Sequence, residues 1–238
     1  MRKRFEKSIG IKEFYSLHSI NRLIQEKNQK EHIPSNLELC NSLEELKRLV
    51  TEFNDCELKE YAINTVFSDG NPQSDIMFIG EAPGATEDEQ GIPFCGQSGQ
   101  LLDNIMAAIG LYRQKNAYIT NTVFWRPPAN RKPTTKEIEL CRPFVEKHIA
   151  LIHPKLIILV GSTAVESLLQ VNSPITKLRG QYFDYTNEFL NGKTIRTTAI
   201  FHPSYLLRQS SHKKTMWFDM LKIKYDCHID ENGIVKNI

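Results

Sequence analysis

The chain has no C-x-x-C pair, no apolar run of membrane-spanning length, and a net charge of only +2. The missing C-x-x-C pair argues against an ordinary zinc ribbon. Five cysteines, an odd number, do not make the framework of a secreted disulfide protein. Without a long apolar run no transmembrane helix is expected. The start, from Met1 to Lys7, is basic but has no apolar stretch after it, so no signal peptide is expected and the default compartment is the cytoplasm. With a balance of +2, nucleic-acid binding cannot be argued from charge, and a basic patch would have to be local. No dinucleotide fingerprint, Walker loop, G-x-S-x-G elbow or His cluster with metal-ligand spacing is present.

What is there suits one α/β domain of ordinary size with an N-terminal appendage. Residues 1–50 read as a helical extension. Phe14, Leu17, Ile20, Leu23 and Ile24 recur at helical spacing between Glu13 and Glu31. Ser42 then caps a second helix, with Glu45 at the capping-box position. Residues 51–225 read as the main domain, and from Asn64 strand patterns alternate with helical ones. The runs Asp75–Ile79, Ala117–Asn121, Leu156–Val160 and Thr194–Phe201 read as four strands. The helical patterns are Gln100–Ile109, Thr135–His153, Gly161–Leu169 and Lys213–Ile223. The expected fold is α/β: three α/β/α layers around a mostly parallel four-stranded sheet. Residues 226–238 are left as a tail.

Each of the four strands runs into a polar or glycine feature: Gly80-Glu81, Asn121, Gly161-Ser162 and His202. Ligands of open α/β sheets bind beyond the carboxyl ends of the strands. Glu81, Asn121 and His202 are therefore expected neighbours. The loop I-G-E-A-P-G-A-T-E-D-E-Q-G-I-P-F-C-G-Q-S-G, Ile79 to Gly99, adds carboxylates among glycines and the ring of Phe94. Asn can read the edge of a base, His can donate to a developing anion, Glu can orient water, and Phe can stack on a planar ring. Together they suit cleavage of a bond to a nucleobase. Singly, each has a plainer explanation: a core Phe, a turn Asn, a capping His, a surface Glu.

The same residues carry a family resemblance. The segments V-F-S-D-G-N-P (66–72), G-E-A-P-G-A-T-E-D-E-Q-G-I-P-F-C-G-Q-S-G-Q-L-L (80–102), Y-I-T-N (118–121), R-P-P-A-N-R-K-P (126–133), K-L-R-G (177–180) and H-P-S-Y-L-L-R (202–208) occur in order. In them the chain resembles family-four, thermophile-type uracil-DNA glycosylases. The resemblance implies hydrolysis of the bond between uracil and deoxyribose in DNA, leaving an abasic site, by a monomer that needs no redox cofactor. It implies that Glu81 and His202 are catalytic. Gly80, Ala82, Glu87, Phe94 and Asn121 would hold the uracil. Arg126, Arg131, Lys177, Arg179, Ser204, Leu206, Leu207 and Arg208 would meet DNA, one of the two leucines lying in the core. Lys132, Lys213 and Lys214 are further candidates for phosphate. Two other functions stay open: a non-catalytic, phage- or polymerase-associated nucleic-acid-binding member, or a glycosylase of different base preference.

One departure stands out. The family usually carries a [4Fe–4S] cluster on four cysteines. Cys56 and Cys141 match two of those places, while Phe53 and Trp125 stand at the others. A cluster needs four ligands, so none is expected here.

Overall fold

The computed structural model describes residues 36–171, 173–230 and 232–236. The first expected helix, Glu13 to Glu31, lies outside the described residues. In chain order the described elements are α1 (Leu43–Glu52), α2 (Leu58–Tyr61), β1 (Asp69–Gly70), β2 (Ile76–Gly80), α3 (Ala85–Gln90), α4 (Gln97–Ala107) and β3 (Tyr118–Asn121). There follow α5 (Thr135–Ile152), β4 (Leu156–Val160), α6 (Ser162–Leu169), α7 (Ile175–Leu178), β5 (Tyr182–Tyr185), β6 (Ile195–Ile200), α8 (Pro203–Arg208) and α9 (Lys213–Asp226).

The fold is α/β, as expected, but its sheet has six strands in the order β1-β3-β2-β4-β6-β5. The four expected strands are its parallel centre, β3-β2-β4-β6. Every residue of β2, β3 and β4 is buried, because helices cover both faces. The two additional strands pair antiparallel at the edges. β1 has two residues, and of the four in β5 two are half-buried, one is exposed and one is buried. A two-residue strand and a four-residue strand partly in solvent offer too little buried apolar chain to be read by hydrophobicity.

Local signals set the helix ends. Thr134 Oγ1 accepts from the Glu137 amide at 3.3 Å, and Glu137 Oε2 accepts from the Thr134 amide at 2.7 Å, so a capping box opens α5. Ser42 caps α1 in the expected way, accepting from the Glu45 amide at 3.2 Å. The Glu45 carboxylate reaches back one residue further than a box requires, to the Asn41 amide at 2.9 Å. Leu46, Leu49 and Val50 turn inward, and α1 packs on α5. Near the other end of the chain, Val235 is held by Asp75 Oδ2 at 3.0 Å through its amide and by Lys155 Nζ at 3.2 Å through its carbonyl. Among the described residues no helix is long and apolar enough to cross a membrane.

The order of the strands positions the site. From β2 the chain goes to β3 on one side, then returns to β4 on the other. The carboxyl ends of β2 and β4 thus flank a topological switch point, where a crevice opens in folds of this kind. Gly80 lies beside Asn121 in the register of β2 and β3, and Val160 beside Ile200 in that of β4 and β6.

Candidate active site

A cavity of about 680 Å³ occupies that crevice, and Glu81, Ala82, Glu87, Phe94, Gly161, His202, Ser204 and Arg208 are among the residues that line it. Of the expected neighbours Glu81, Asn121 and His202, the first and last line this cavity, together with the Phe94 ring. Asn121 sits just behind the wall, 1% exposed. Gly80 joins the two: a methyl group on it would overlap the edge of the Phe94 ring and lie 2.5 Å from Asn121 Oδ1. Only glycine lets the ring and the amide close over this point of the strand. Asn121 Oδ1 is buried with no hydrogen-bond partner. A buried acceptor left unpaired costs stability, so its presence beside the cavity points to a ligand donor.

His202 follows β6 and caps α8. Its Nδ1 accepts from the Ser204 backbone N–H at 3.2 Å, and Ser204 Oγ lies 2.8 Å from the same nitrogen. An acceptor at Nδ1 leaves the proton of the neutral ring on Nε2. Burial pushes the imidazole pKa down to about 4, and the Arg208 cation pushes the same way against an opposing pull from Glu87. At neutral pH the ring is an uncharged Nε2–H donor. Its centroid lies 5.7 Å from that of Phe94, at an interplanar angle of 34°.

Glu81 is held by a residue that sequence reading missed. Thr163 Oγ1, near the start of α6, donates to Glu81 Oε2 at 2.5 Å. The Glu81 carbonyl accepts from Thr122 Oγ1 at 2.7 Å. Thr163 is 1% exposed. The only hint in the sequence was its place two residues after the glycine that follows β4. Glu87 has its carboxylate engaged with the loop itself: Oε2 accepts from the Gly84 amide at 3.1 Å and Oε1 from the Gly96 amide at 2.8 Å. It lines the cavity and ties together the two ends of the glycine-rich loop.

The residues expected on the DNA side divide. Arg208 is exposed at the cavity, and Arg131 reaches the cavity while forking onto Glu137 at 2.9 and 2.6 Å. Arg126 bonds Asn130 Oδ1 at 2.7 Å, and Lys132 pairs with Glu166 at 2.8 Å. Arg179 is bound to Asp219 at 2.5 Å and packs over the Phe201 ring, so its charge is already matched inside the protein. Lys177, Lys213 and Lys214 are exposed. Ser204 turns toward His202. Leu206 is fully buried and Leu207 is 45% exposed, so only Leu207 presents surface to a partner. Leu206→Ala should lower the unfolding free energy by about 2–5 kcal/mol, whereas Leu207→Ala should stay within about 0.5 kcal/mol. Urea titrations of the two variants check this.

At the four family cluster positions, the residues do not fit an iron–sulfur group. Cys56 and Cys141 are fully buried and hydrogen-bond to each other through their thiols, an arrangement that lowers the Cys56 pKa. Burial in the first place, with that same bond, pushes the Cys141 thiol up. The Phe53 ring lies 6.5 Å from Trp125 and 4.9 Å from Phe144, centroid to centroid, and the Trp125 indole donates to Thr65 at 3.0 Å. Two rings thus stand where two thiolates would be needed. Among the described residues no group of three or more His, Cys, Asp and Glu side chains is placed to hold a metal ion.

The profile of the Uracil DNA glycosylase superfamily matches residues 67–221. The Type-4 uracil-DNA glycosylase of Archaeoglobus fulgidus is 33% identical over 190 residues, 78% of this chain and 94% of the relative. That of Sulfurisphaera tokodaii is 34% identical over 187 residues, 77% of this chain and 84% of the relative. That of Thermotoga maritima is 39% identical over 175 residues, 71% of this chain and 88% of the relative.

Proposed function

The chain belongs to the Uracil DNA glycosylase superfamily, and from that premise we propose that it is a DNA-repair glycosylase that hydrolyses the N-glycosidic bond of deoxyuridine in DNA. The observation that carries the reading is the His202 ring, its Nδ1 facing the Ser204 N–H, on one cavity with the Glu81 carboxylate and the Phe94 ring. The monomeric, cytoplasmic form belongs to the same proposal, and one chain supplies the whole site.

The chemistry runs as follows. Uracil leaves the stack at a cost of a few kcal/mol, least where it is mispaired or unpaired. It lies against Phe94, with a ring N–H offered to the unsatisfied Oδ1 of Asn121. As the bond from C1′ to N1 breaks, its electron pair stays with the base, and negative charge spreads to O2. His202 donates to that oxygen. The sugar becomes cationic, and the Glu81 carboxylate, held by Thr163, offsets this charge and orients the water whose oxygen bonds to C1′. The water's second proton leaves to solvent. Exposed Arg208 and Leu207 serve the DNA beside the extruded nucleotide.

The proposal includes an enzyme that works without an iron–sulfur cluster. Support comes from Phe53 and Trp125, whose rings pack where two ligands are missing. Protein purified without oxygen should contain no stoichiometric iron and show no broad visible band. About four irons per chain would overturn this part alone.

The main test is a labelled oligonucleotide with one U opposite G, opposite A, or unpaired, followed by alkali. A break at the U is expected. Tight binding with no break in any substrate would replace the enzyme by a binding protein, and breaks at other bases would widen its specificity.

A further inference from the structure

Phe94 has a left-handed backbone, with φ +53°. That conformation is costly for a bulky residue and persists only where the surroundings impose it. The side chain that binds its carbonyl lies outside the cavity. Arg113, 7% exposed, donates from Nη1 to the carbonyl of Pro93 at 2.9 Å and from Nη2 to the carbonyl of Phe94 at 2.6 Å. One guanidinium therefore reads two successive carbonyls of the loop. It is itself fixed by two carboxylates, Asp69 on β1 and Asp103 on α4, each at 2.9 Å. From below, α4 closes the same point: a methyl group on Gly99 would collide with the Phe94 carbonyl. Arg113 touches neither Glu81 nor His202 and does not line the cavity.

We propose that Arg113 is a positioning residue that sets the stacking plane of Phe94, locking the Pro93–Phe94 backbone through both carbonyls and transmitting the fixed frame of β1 and α4 to the ring that receives the base. The planar fork is essential, because an ammonium cannot serve two carbonyls and two carboxylates at fixed angles. The inference rests on the reading of Phe94 as the base-stacking ring.

The test is a double-mutant cycle on a single-U oligonucleotide. Arg113→Lys should raise KM by about 10- to 100-fold, the worth of one base–aromatic stack, with kcat little changed. In a Phe94→Ala background the same substitution should add nothing further to KM, since the ring through which it acts is gone. Equal effects in both backgrounds would overturn the proposal and leave Arg113 a purely structural residue. If Arg113→Lys fails to fold, Asp103→Asn, which releases one arm of the clamp, enters the same cycle with the same two outcomes. Should the wild-type protein cleave no U-containing strand, the glycosylase reading fails by itself. The clamp is then judged from a crystal structure of Arg113→Lys. Departure of Phe94 from the left-handed region supports it, and an unchanged loop refutes it.

Discussion

His202→Ala should lower the single-turnover rate of uracil release by about 10²- to 10³-fold, the typical loss when one preorganised donor to a developing oxyanion is removed. The alanine variant keeps the cavity but offers no proton to O2 as the base departs. The pH dependence identifies the donor further. Because burial and Arg208 depress its pKa to about 4, His202 stays neutral from neutral pH down to that value. The acid arm of activity that depends on this ring should thus appear near pH 4, with no inflection at the ordinary histidine value of about 6.5. Below it, protonation puts a hydrogen on Nδ1, which then opposes the Ser204 N–H and disturbs the orientation of the ring. Ring ¹⁵N shifts at pH 6 should report the neutral Nε2–H tautomer. A cationic ring there, or a rate unchanged in His202→Ala, would remove His202 from the mechanism.

Glu81→Gln should cost about 10²- to 10⁴-fold in the same rate. The isosteric amide preserves the shape of the pocket while removing the negative charge that faces the sugar cation. Thr163→Val should cost less, about 10- to 100-fold, the worth of a hydrogen bond to a charged group. If Thr163 acts only by holding the carboxylate, its replacement should have little effect once Glu81 is already Gln. Rates of the two single variants and the double variant decide this. An equal loss from Thr163→Val in both backgrounds would give the threonine a role of its own.

Much of this was legible in the chain. β2 and β4, at the centre of the sheet, are buried on both faces, so their apolar runs could not be mistaken for loops. The polar residues at their carboxyl ends then lay where an open parallel sheet collects its ligand. The edge strands β1 and β5 were not legible, since a strand half in solvent needs no continuous apolar run. Thr163 and Arg113 were hidden for another reason. Each acts through a partner far away in sequence: Thr163 on Glu81, and Arg113 on Pro93 and Phe94, Asp69 and Asp103. No local pattern records such a pairing. The internal partners of the DNA-side candidates were hidden for the same cause. A lysine or arginine in a sequence has no partner, and only the fold revealed that Arg179 belongs to Asp219.

The sequence by itself determined the α/β class and the chemical types at the strand ends. These follow from side-chain chemistry and from periodicity, which are properties of the chain read in order. Tertiary structure decided the burial that lowers the pKa of His202, the tether of Glu81, the strained seat of Phe94, and which of two adjacent leucines faces solvent. Each of those depends on a hydrogen bond or a packing contact between segments that meet only after folding, and at the scale of a single hydrogen bond that meeting is what makes the site reactive.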